Sequence, residues 1–146
     1  MNHNHETKAC KSVETIVDGL EAIALIIRAE FNESGIHFFT PANFSQQVAV
    51  MRHPKGKKLD PHVHNLVSRQ VLYTQEVLLI RKGRLKVTLF NSQHKRLCSL
   101  ELTDGDLILL CGGGHSFEML QETSMIEVKQ GPYAGENDKT RFEEVE

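Results

Sequence analysis

Apolar and polar positions alternate over much of this chain, and the alternation predicts strands rather than helices. Residues 84–90, Arg-Leu-Lys-Val-Thr-Leu-Phe, set charged or polar side chains against apolar ones at every second position. That is the period of a strand wet on one side. Residues 97–102 alternate again, and 107–110, 116–120 and 124–129 read as further short strands. Lys82-Gly83, Asn91-Ser92-Gln93-His94 and Thr103-Asp104-Gly105-Asp106 supply turn residues between them. Upstream, 36–39 and 46–52 are short strands stopped by Pro41 and Pro54, and 71–81 is rich in β-branched residues.

The N-terminal third is less decided. Residues 21–28, Glu-Ala-Ile-Ala-Leu-Ile-Ile-Arg, have a strand's apolar content, whereas 13–20 fits a strand or a short helix. A helix over 13–31 competes with both, since Gly19 is its only interior breaker. Residues 1–12 are polar and aperiodic and read as a loose arm, and 134–146 as a polar tail, leaving 13–133 as a single domain. Short strands every 8–12 residues, with almost no helical pattern, predict an all-β sandwich or closed barrel.

Composition narrows the classes of function. The 146 residues are 40% hydrophobic and 25% charged, enough for a real core. Seventeen basic and nineteen acidic side chains are well mixed, so no nucleic-acid-binding face is expected, and Lys55-Gly56-Lys57-Lys58 reads as a solvated loop. No apolar run approaches the ~20 residues of a membrane span, and the first residues lack a secretory layout. Three cysteines, Cys10, Cys98 and Cys111, form no paired motif. A reducing cytoplasm is the expected setting.

The histidines carry the candidate chemistry. His62-Val63-His64 would project two imidazoles to one face of a strand, and imidazole is a common ligand of divalent transition metals. His3 and His5 repeat the spacing at the terminus. Gly56, His62, His64, Glu76 and Gly83 together resemble the first signature of the cupin superfamily. Gly105, Asp106 and the run Gly112-Gly113-Gly114-His115 resemble the second. The resemblance spans residues 46–129. It implies a jelly-roll, or double-stranded β-helix, cupin barrel with extra N-terminal strands, and a metal held by His62, His64, Glu76 and His115. Eleven residues, Asn65 to Gln75, separate His64 from Glu76, more than in the family's pattern, and none is a carboxylate. The competing reading makes each histidine a hydrogen-bonded core residue and puts Glu76 in a salt bridge with Arg69 or Arg81.

Four such ligands leave open positions on one divalent transition metal ion, Fe, Mn, Ni or Zn. The resemblance therefore implies a metal-dependent isomerase, lyase or oxygenase acting on a small polar metabolite, such as a sugar derivative. Residues 74–76, 112–120 and 128–133 in particular resemble small bacterial cupins, some of them tied to carbohydrate metabolism. The alternatives are a metal-containing receptor for a small-molecule ligand, and a scaffold for binding a partner. The resemblance also implies a homodimer, with 21–28 as the strand available for exchange.

Overall fold

The computed structural model describes residues 12–144, and every long element in it is a β-strand. The expected arm over 1–12, with His3, His5 and Cys10, lies outside the described residues except for Ser12, as do Val145 and Glu146 of the tail. Val13–Asp18 (β1), Glu21–Ile27 (β2), Gly35–Phe38 (β3) and Ala49–Arg52 (β4) precede a long strand-free stretch. Glu76–Lys82 (β5), Arg84–Phe90 (β6), Arg96–Thr103 (β7), Leu107–Leu110 (β8), Gly114–Met119 (β9) and Ser124–Lys129 (β10) follow. The helix that competed for 13–31 does not form, because β-branched Val13, Thr15, Ile16 and Val17 pair with β2.

The strands make three antiparallel sheets, ordered β1-β2-β8-β5-β10, β3-β4 and β7-β6-β9. Ile23, Ile26, Leu78, Ile80 and Ile108 of the first sheet pack on Leu85, Val87, Leu89 and Leu102 of the third. The first sheet's other face packs Leu25, Ile27 and Leu109 against Val48, Val50, Phe39 and Phe44. With apolar layers on both faces, β2 needs no polar alternation, which explains its unbroken run Ala22-Ile23-Ala24-Leu25-Ile26-Ile27.

None of the three sheets closes on itself, so the expected jelly-roll cupin barrel is not the architecture. Closure needs every sheet edge to find a neighbour. The stretch that would supply a further strand, 53–75, joins no sheet, so among the described residues β9 and β10 remain edges.

Two devices fix the stacking. Asp106, 2% exposed, accepts hydrogen bonds from the backbone of Ala29 and Thr103 and from Arg28 Nη1, each at 3.0 Å. It ties the end of β2 to the turn between β7 and β8. Gly83, between β5 and β6, has φ +111°, and a Cβ there would lie 2.3 Å from the carbonyl oxygen of Glu122. Gly83→Ala is expected to cost more than about 2 kcal/mol, through backbone strain and that collision. Urea unfolding checks this, and an unchanged midpoint would contradict the crowding.

Candidate functional site

The alternation of β5 sends Leu78 and Ile80 into the core and leaves Glu76 at the strand's first position, where that inward face ends. On β9, His115, Phe117 and Met119 stand opposite Leu89, Val87 and Leu85 of β6 and so share their inward face. The two strands bring Glu76 Oε2 to 3.3 Å from His115 Nε2, bridging the first and third sheets. Their side chains are 17% and 31% exposed, and the Phe117 ring lies against the imidazole at 5.3 Å.

The His115 hydrogen bond holds the Glu76 carboxyl below its ordinary 4.5; burial opposes this, and the charges of His115, Lys129 and Lys139 reinforce it. A carboxyl lowered by folding adds stability above its unfolded value, and that stability disappears as pH falls through the folded value. Glu76→Gln should therefore flatten the loss of stability as pH falls from neutrality through and below 4.5. Urea midpoints across that range test the pair, and an unaltered acid limb would contradict it.

The other two expected ligands are elsewhere. His62 and His64 sit in the strand-free stretch, their rings 5.4 Å apart, and His62 Nδ1 is 3.0 Å from the carbonyl oxygen of Asp60. Two pairs thus form, His62 with His64 and Glu76 with His115. Among the described residues, no group of three or more His, Cys, Asp or Glu side chains could hold a metal ion. The period-two argument for His62 and His64 required a sheet to aim them, and their segment joins none. The expected Fe, Mn, Ni or Zn ion is corrected accordingly, and with it the metal-dependent isomerase, lyase or oxygenase and the metal-containing receptor for a sugar-like metabolite.

What distinguishes this region is exposure. Every residue from Met51 to Thr74 is exposed, twenty-four in succession. Leu59, Val63, Leu66, Val67, Val71, Leu72 and Tyr73 are among them, with Leu66 at 105% and Val63 at 86%. The segment leaves β4 through a turn in which Lys57 N donates to Pro54 O. Its return is pinned at Gln75, a buried amide. Gln75 Oε1 accepts from Ser45 Oγ and Gln46 N, its carbonyl accepts from Gln46 Nε2, and its N–H donates to Gln130 Oε1. The polar spacing of Ser45, Gln46 and Gln75 gave no sign of this junction, because amide pairing has no sequence period.

Beside the junction lies an open cleft of about 320 Å³, lined by Phe44, Val71, Leu72, Tyr73, Gln75 and Cys111. Burial pushes the Cys111 thiol up to about 11, so it stays protonated at neutral pH and packs as a small buried hydrophobe. The return leg of the segment is thus anchored by its backbone while its apolar side chains stay uncovered.

The class that fold and site define is an antiparallel β protein of stacked open sheets with one long, exposed, apolar segment. No family model, curated protein or solved structure matches the chain, and nothing among these comparisons ties it to the cupins that its motifs resemble. Among the described residues no helix is long and apolar enough to cross a membrane.

Proposed function

We propose that this protein is an interaction module that works as a homodimer, with residues 51–74 as its contact segment. The carrying observation is the seven uncovered apolar side chains from Leu59 to Tyr73. Isolated exposed apolar residues are ordinary on protein surfaces, but a contiguous apolar patch marks a place where another surface binds. Long segments without secondary structure are uncommon in small proteins and are usually functional when present.

The energetics favour association over exposure. Burying one Leu or Val side chain contributes about 1.5–3 kcal/mol. Several such side chains offset the cost of joining two bodies and ordering their contact loops, about 4–15 kcal/mol. A symmetric pair presents every contact twice, so one segment supplies two sets of anchors. A cytoplasmic setting suits the free thiols Cys98 and Cys111.

Light scattering on the eluting protein tests the reading. Twice the chain mass at micromolar concentration is expected, and a single-chain mass at every concentration would overturn it.

A further inference from the structure

Resting on that self-association, we infer that the contact segment of each chain adds as a strand to the open edge of β9 in the second copy. β9 hydrogen-bonds to β6 along one side and, among the described residues, to no strand along the other. Its inward face is incompletely covered: Met119 is 48% exposed, whereas Leu85, its partner on β6, is fully buried. An unpaired edge beside uncovered apolar side chains is a template for another strand.

The segment fits that template in length, composition and charge. Residues 62–73 run for twelve positions without Gly or Pro and include Val63, Val67 and Val71. β9 is six residues long, so half of this stretch suffices to line its edge. Residues 52–69 carry Arg52, Lys55, Lys57, Lys58 and Arg69 against a single acid, Asp60. Over residues 120–129, Glu122, in the turn that follows β9, and Glu127 stand against a single base, Lys129, whereas Glu118 is paired with Lys86 of β6. Opposite charge on the stretch leading into the incoming strand and on the turn after β9 favours an antiparallel approach to this edge.

Nothing in the described chain draws its own segment onto β9. The Gln75 junction anchors the returning leg to Ser45, Gln46 and Gln130 while residues 51–74 stay exposed. A second copy presents the same edge and the same free segment, so the exchange is reciprocal and closes with two-fold symmetry.

The test is zero-length carbodiimide cross-linking of an equimolar mixture of natural-abundance and ¹⁵N-labelled full-length protein, after subunit exchange. Peptides joining Lys57 or Lys58 to Glu118, Glu122 or Glu127 should appear, about half of them with one chain of each isotope, as two-fold pairing requires. Charge reversal at Lys57 and Lys58 (K57E with K58E), or at Glu122 (E122K), should each weaken the dimer about tenfold. Combining them should recover most of the loss. A dimer without isotopically mixed peptides between these residues, or with single-isotope peptides alone, would overturn the edge assignment and leave self-association standing. A single-chain mass by light scattering on the same sample would overturn both.

Discussion

Leu66→Asp combined with Val63→Asp is expected to turn the proposed dimer into a monomer and to leave folding intact. Both side chains lie almost wholly outside the fold, at 105% and 86% exposure, so their replacement removes nothing from either apolar layer. In a two-fold dimer the pair occurs twice, and four apolar anchors are lost at once. At about 1.5 kcal/mol or more for each buried side chain, the loss is about 6 kcal/mol, over four decades in Kd. Sedimentation equilibrium reads the change in mass, and unfolding of the dissociated wild type and the variant at matched low concentration reads the unchanged fold. A variant that still sedimented as wild type would remove these residues from the interface.

Asp106→Ala should act in the opposite way, on the fold before any assembly. The carboxylate is 2% exposed and satisfies the N–H groups of Ala29 and Thr103 as well as Arg28. Alanine leaves two backbone donors without their acceptor and the guanidinium without its counter-charge, although Arg28 keeps its 2.7 Å bond to the Glu101 carbonyl. Unpaired buried donors and half-broken buried ion pairs cost about 3–5 kcal/mol. Small domains hold about 5–15 kcal/mol in all, so the variant should unfold at much lower urea. Asp106→Asn, which keeps one carbonyl acceptor, should lose less. A midpoint for Asp106→Ala within experimental error of wild type would mean that the turn does not hold the sheets together.

Much of the strand pattern was legible because its cause is local. Leu85, Val87 and Leu89 alternate with Arg84, Lys86 and Thr88, and β6 buries that apolar set fully. The Thr103-Asp104-Gly105-Asp106 turn was legible too, since its residue types are those that turns select. The Val13–Asp18 strand was one of two readings that propensity allowed, and pairing with β2 decided between them.

The sheet plan and the site were not legible, and for a single reason. Spacing assigns a side chain to a face only if its segment is a strand, and strand identity depends on a remote partner. His62-Val63-His64 has the right period but no neighbouring strand, so its imidazoles face solvent. His115 and Glu76 each lie on a paired strand and meet at 3.3 Å as a pair, with no third His, Cys, Asp or Glu placed to complete a metal site among the described residues. Motif spacing therefore did not define a metal site. It carried no information on the eleven residues between His64 and Glu76, whose free apolar side chains became the main feature of the surface. Gly113 shows the same limit: it read only as part of the Gly112-Gly113-Gly114-His115 run. A Cβ there would lie 2.1 Å from the Phe90 carbonyl oxygen, so close packing fixes the residue.

Amide hydrogen exchange over residues 59–73, followed by mass spectrometry across a range of protein concentrations, probes the contact segment most directly. In the single chain residues 59–73 are exposed and belong to no strand, so their amides should exchange at open-chain rates at high dilution. As the chains associate, 59–73 should become protected in step with the rise in mass, and β9 should gain further protection with it. Rapid exchange over 59–73 at every concentration would contradict the assignment of this segment as the contact.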